Sequence, residues 1–123
     1  MKDAMRFNHK EGDVLITKLT LAREVRNDMC HNFYYEARFR IYTDKTHYFK
    51  GNFVVWFDTE DLAEEYPNKD RFSKKDIRDY AATLAYSFME SAPRKNVNAK
   101  TLKPFYEECR FTIMDYNEKR RAA

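Results

Sequence analysis

Glycine is almost missing from this chain, with two residues in 123. Phosphate loops, dinucleotide-binding turns and nucleophile elbows all need several glycines for tight turns and close backbone approach, so none of them is built here. Three prolines leave as little room for low-complexity linkers, and no internal repeat or domain boundary stands out. Two cysteines, Cys30 and Cys109, cannot make the disulfide framework of a small secreted domain. The opening MKDAMRFNHKEGD has no apolar core of the kind a signal peptide needs. No apolar run approaches the roughly 18 residues that span a bilayer. These absences give the expectation of a cytoplasmic protein with reduced thiols and no membrane partner.

Metal and catalytic constellations are scarce too. The histidines are His9, His31 and His47. Cys30 neighbours His31 with no second Cys or His at ligand spacing, so no zinc site is expected. Adjacent residues on an extended chain point opposite ways, which argues against a Cys–His nucleophilic pair. No catalytic residue, metal or cofactor is therefore expected. A small enzyme such as a nuclease, its carboxylates gathered from several elements, is the remaining enzymatic alternative.

What is present is charge and aromatic surface. Charged residues make up 35% of the chain and aromatics 16%, against 43% hydrophobic, a balance that fits one globular domain. The net charge of +3 names no partner by itself. Its distribution says more: DTEDLAEE at 58–65 holds five acids and no base, while RKNVNAKTLK at 94–103 holds four bases and no acid.

Periodicity assigns the elements. DVLITKLTLAR, 13–23, reads as a strand, with Leu15, Leu19 and Leu21 of one parity and Val14 and Ile16 of the other, as if covered on both faces early in its run. FYYEARFRIYT, 33–43, alternates without a break, and so does the stretch from Tyr48 to Phe57. Residues opposite each other in a hairpin share a face, which fixes the register. A two-residue loop would put Phe39 opposite Lys50 and mix core with surface. A three-residue loop, Asp44 to Thr46, pairs Ile41 with Phe49, Phe39 with Gly51, Ala37 with Phe53 and Tyr35 with Val55. Large then meets small along one apolar face, although such loops usually place Gly or Asn where this chain has Lys or Thr.

Asp58 or Thr59 can cap a short acidic helix that Pro67 ends, and Ser73 with Asp76 opens a second helix as a capping-box variant. Ile77, Tyr80, Ala81, Leu84 and Phe88 then recur at helical spacing up to Ser91-Ala92-Pro93. EECRFTIMDY, 107–116, alternates and reads as a fourth strand, after a short helix over 99–106 disturbed by Pro104. The expected fold is α+β in the order β-β-β-α-α-β: an antiparallel sheet of about four strands with one main amphipathic helix across one face. A flexible arm over 1–12, one domain over 13–118 and a basic tail over 119–123 complete the expected organisation.

The other face of the hairpin carries the candidate site. The register pairs Tyr42 with Tyr48, Arg40 with Lys50, Arg38 with Asn52, Glu36 with Val54 and Tyr34 with Trp56. Arg40 opposite Lys50 sets like charges together, which a sequence shaped for stability alone would avoid. Rings interleaved with cations suit single-stranded nucleic acid, and they are equally the makings of a protein hot spot. The expected partner-binding residues are Tyr34, Arg38, Arg40, Tyr42, Tyr48, Lys50 and Trp56. The plain alternative is that the arm or the acidic helix covers this face, with Arg38 and Arg40 paired to Glu36 and Asp58. The acidic run, Asp58, Glu60, Asp61, Glu64 and Glu65, is either a solvated helix face or a second contact that competes with nucleic acid for a basic groove; it lacks the oxygen spacing and central glycine of a calcium loop.

In size and general character, though through no particular residues, the chain resembles the compact proteins with which phages and mobile elements oppose bacterial defence systems, anti-CRISPR proteins among them. That resemblance implies a stoichiometric inhibitor or accessory factor acting on a bacterial protein or nucleoprotein complex. A direct single-stranded DNA- or RNA-binding module is the alternative.

Overall fold

The hairpin alternation builds a three-stranded antiparallel sheet in which every helix shares one side. The computed structural model describes residues 8–122, without the side chains of 111 and 113–122. Strands β1 (Val14–Arg26), β2 (His31–Tyr42) and β3 (Tyr48–Asp58) precede helices α1 (Thr59–Glu65), α2 (Lys74–Met89) and α3 (Ala99–Ala122). The sheet order is β1-β2-β3, so β2 is central.

The β2–β3 register is the three-residue-loop one, from Tyr42 with Tyr48 to Phe33 with Phe57. No residue of that loop needs a left-handed backbone, the only such non-glycine among the described residues being Asn96. The Asp44 carboxylate closes the loop instead, accepting from the amides of Thr46 and His47 at 2.8 Å each. A side-chain acceptor thus replaces the expected Gly or Asn.

β1 corrects the reading of its parity. Irregularities between Ile16 and Lys18 and between Leu21 and Arg23 shift the register by one residue each time. The first brings Leu19 and Leu21, opposite Ala37 and Tyr35, onto the same face as Val14 and Ile16, opposite Ile41 and Phe39. A bulge flips every side chain after it, so one apolar face is kept where strict alternation implied two.

The expected fourth strand does not form. Residues 107–116 belong to α3, which starts at 99 and runs through Pro104. The Asn98 side chain caps it, accepting from the amides of Lys100 and Thr101 at 2.9 and 3.0 Å. Leu102, Phe105, Tyr106 and Cys109 lie at i, i+3, i+4 and i+7, and all four join the core. Pro104 leaves the Lys100 carbonyl without its helical donor, and the packing of this stripe outweighs that loss. The sheet is therefore covered by α2 and α3 together and not by one main helix. The expected basic tail falls within α3 up to Ala122, where side chains are outside the description.

The core fills the space between. Phe39 meets Phe53, Phe105 and Tyr106 at centroid separations of 5.8, 5.6 and 6.0 Å. Below Phe33, Tyr35 and Phe57, α1 and α2 contribute Leu62 and Ala81. Each buried aromatic or large aliphatic stabilises the fold by about 1.5–3 kcal/mol. Gly51 is required here, since a Cβ would lie 2.6 Å from Phe39 Cζ and 2.8 Å from Tyr106 Cε1. The two helices also blunt both sheet edges. Tyr86 Oη accepts from the Ile16 amide (3.2 Å), Arg78 Nη1 donates to the Leu19 carbonyl (2.9 Å), and Tyr106 Oη donates to the Lys50 carbonyl (2.8 Å). Occupied edges discourage strand addition.

Of the expected arm, residues 1–7 lie outside the described residues. Residues 8–12 are fastened. The Gly12 amide donates to the Tyr42 carbonyl (2.8 Å), Arg94 donates to the Gly12 carbonyl (3.0 Å), and the Val97 amide donates to Glu11 (3.0 Å). Among the described residues no helix is long and apolar enough to cross a membrane.

Candidate functional site

The side of the sheet turned away from the helices carries the even-numbered residues of β2 and β3. The two bulges of β1 add to it. Rows across the three strands read Leu15–Arg40–Lys50, Lys18–Arg38–Asn52, Thr20–Glu36–Val54 and Arg23–Tyr34–Trp56. Tyr42 and Tyr48 close one end.

Four cations therefore meet in two adjacent rows: Lys18, Arg38, Arg40 and Lys50. Among the described residues, none of them has a carboxylate at ion-pair distance. The pairings of the plain alternative, Arg38 and Arg40 with Glu36 and Asp58, do not occur among the described residues: Asp58 lies opposite Asn32, at the far end of the hairpin from Arg40, and both acids have other partners. Glu36 accepts from the Asn52 amide at 2.9 Å, and Asp58 caps α1. Arg40 instead lies over the Tyr48 ring, 4.3 Å from its centroid, a cation–π arrangement that orders the guanidinium without neutralising it. Its Nη1 also donates to the Tyr42 hydroxyl at 3.4 Å, which favours the charged form further.

The seven expected contact residues divide into two layers. Tyr48 and Trp56 are 40% and 43% exposed, and Arg38 and Lys50 are exposed. Arg40 is half-buried between them, and Tyr34 and Tyr42, at 4% and 5%, are buried. His9 stacks on Tyr42 at 4.0 Å, and Trp56 stacks on Tyr34 at 6.0 Å with 22° between the planes. These two tyrosines support the exposed rings. Arg40 and Tyr48 stand between two shallow grooves of about 470 Å³ each, one lined by Arg38, Lys50 and Asn52, the other by His9, Leu15 and Lys45.

Lys18 and Arg23 were not among the expected residues. Lys18 reaches this face only because it follows the first bulge, the second bulge returns Arg23 to the parity of Leu15, and no local sequence signal marks a bulge here. Arg23 places its guanidinium 5.9 Å from the Tyr34 centroid, and its Nη1 is buried with no hydrogen-bond partner among the described residues.

The acidic segment has a structural task in part. Asp58 and Asp61 form a reciprocal capping box with each other's amides, both at 3.0 Å. Glu60, Glu64 and Glu65 are exposed on α1. Burial, with the field of this acidic group, pushes the Tyr80 hydroxyl up. Among the described residues, no three His, Cys, Asp or Glu side chains gather as a metal site. Cys109 is buried, which pushes its thiol up to about 12, far from a reactive thiolate. Cys30 is half-buried and its Sγ accepts from Asn32 at 3.6 Å.

No protein-family model, curated protein or solved structure matches this chain.

Proposed function

We propose that this is a non-enzymatic, cytoplasmic binding protein whose outer sheet face docks a bacterial nucleoprotein complex, as a stoichiometric inhibitor or accessory factor. The observation that carries the reading is the cluster Lys18, Arg38, Arg40 and Lys50, held side by side on rigid strands with no carboxylate at ion-pair distance among the described residues. Like charges placed across strands cost stability, and a partner's negative charge would repay that cost on binding. Capped sheet edges favour docking through the face over strand addition. The inhibitory role rests on the general resemblance to phage and mobile-element anti-defence proteins. The exposed acids of α1, Glu60, Glu64 and Glu65, supply a candidate second contact.

The test is affinity capture from the native host with the wild type and the double variant Arg40→Glu, Lys50→Glu. The variant should stay folded, since neither side chain belongs to the helix-covered core, and should lose the partner. Capture that survives the double reversal overturns the reading.

A further inference from the structure

We infer that the part of the partner gripped by this face is single-stranded nucleic acid, with Trp56 and the Arg40–Tyr48 pair stacking on bases while Lys18, Arg38, Arg40 and Lys50 meet phosphates. The inference rests on the docking reading above and gives it a chemical ligand.

Charge is the first argument. Arg38 and Arg40 are two residues apart on β2, about 6.7 Å at strand rise, with Lys18 and Lys50 on the strands either side. A chain of regularly repeated anions can satisfy all four at once, whereas a folded acidic surface would have to present four carboxylates in matching register.

The order of groups is the second. Protein interfaces centre their aromatic anchors and push charge to a polar rim. Here the four cations fill two adjacent rows between the exposed rings, with Tyr48 beside one row and Trp56 beyond the Thr20–Glu36–Val54 row at the other end. Tyr48 and Trp56 are eight residues apart on β3, so they are about 27 Å apart. A span of this length suits the ~4–16 nucleotides that single-strand sites cover. The guanidinium lying over Tyr48 is itself a planar platform on which a base can stack.

The third argument selects single strands over duplex. Among the described residues the face is a sheet with no helix or ribbon standing on it to enter a groove, and a duplex keeps its base faces stacked inside. Exposed rings have no use for such a ligand.

Trp56 is the only tryptophan, which makes it a built-in probe. The experiment titrates the full chain with a random single-stranded oligonucleotide, reading both anisotropy and tryptophan emission at a series of salt concentrations. Expected are quenching of the emission and a slope of log K against log salt near about −3, from about −0.7 per phosphate met by four cations. Lys50→Glu should lower affinity at least about tenfold and flatten the slope. Trp56→Ala should weaken binding about tenfold with the slope unchanged. Polyglutamate and a duplex of the same length serve as rivals, and equal affinity for either overturns the assignment to single strands. If the oligonucleotide fails to bind even at low salt while the Arg40→Glu, Lys50→Glu protein still loses its captured partner, this inference is overturned and face docking stands, with protein as the contact. If that double variant keeps its partner, the docking reading falls as well.

Discussion

The two faces of one sheet follow opposite rules although the same strands supply both. On the helix-covered face, size is matched pair by pair: Phe39 opposite Gly51, Ala37 opposite Phe53, with Leu102, Phe105 and Met89 filling the space above. On the other face the end rows still stack, Tyr34 on Trp56, but the two rows between Tyr48 and Glu36 set like charges together. Arg40 faces Lys50, and Lys18 faces Arg38. Hydrophobic burial selects for complementarity inside, and exposed charge pairs carry so little folding energy that the outer face is left open to selection by a partner. The sharpest use of the difference is to change each face in turn.

The largest effect belongs to the inner face. Phe53 is fully buried and packs on Phe39 and Phe88, so Phe53→Ala should lower unfolding free energy by about 3–5 kcal/mol in denaturant melts. Trp56→Ala, three residues along on the other face, should cost less than Phe53→Ala, because its ring is 43% exposed. Equal losses would mean that both faces are core. Next comes Gly51→Ala. Its Cβ would collide with Phe39 and Tyr106 rings held within packed surroundings, and overpacking of this kind costs about 1–3 kcal/mol. A stabilised variant would show that the core has slack which the tight Gly51 site denies.

These same contrasts explain what could be read from the sequence. The hairpin was legible in full, register included, because alternation is unbroken from Phe33 to Thr43 and only one loop length keeps Phe39 away from Lys50. The capping pairs Asp58–Asp61 and Ser73–Asp76 were legible too, as local chemistry. β1 was half legible: its apolar residues are visible, but a bulge between Ile16 and Lys18 is set by pairing with β2, which leaves no mark in β1 itself. That is why Lys18 was missed at the site. α3 was misread because Cys109, Phe111 and Ile113 alternate as a strand would, while Leu102, Phe105, Tyr106 and Cys109 carry a helical stripe that starts before Pro104. The stripe decides the outcome, since it packs on the sheet. The division of the outer rings into exposed Tyr48 and Trp56 and buried Tyr34 and Tyr42 depends on neighbours such as His9 and Val54, which no spacing rule reveals.

A smaller and opposite effect is expected of Lys50→Glu alone. The new carboxylate faces Arg40 across the strands, so a repulsive pair becomes attractive and stability should rise by about 0.2–1 kcal/mol. Affinity for the partner should fall at the same time. A variant that is more stable and binds less would set the outer face apart from every inner position, where change only costs. Loss of stability in Lys50→Glu would mean that the cation cluster serves the fold.

The smallest change concerns the turn that sorts the two faces. Hydrogen bonds from the Thr46 and His47 amides, with the His47 ring beside them, lower the Asp44 carboxyl to about 2. A folded value below the unfolded one, about 3.9, means that ionised Asp44 supports the loop. That support is complete above about pH 4 and is lost as pH falls through about 2. An NMR titration of the Asp44 carboxyl carbon should place its midpoint near the lower value. A midpoint near about 3.9 would mean the carboxylate does not close the loop. Asp44→Ala should then quicken amide exchange at Tyr42 and Tyr48, the pair beside the turn, while the amides around Phe53 stay protected. Register survives that change because the inner face enforces it independently: a slip of one residue would turn Phe49, Phe53 and Phe57 outward together.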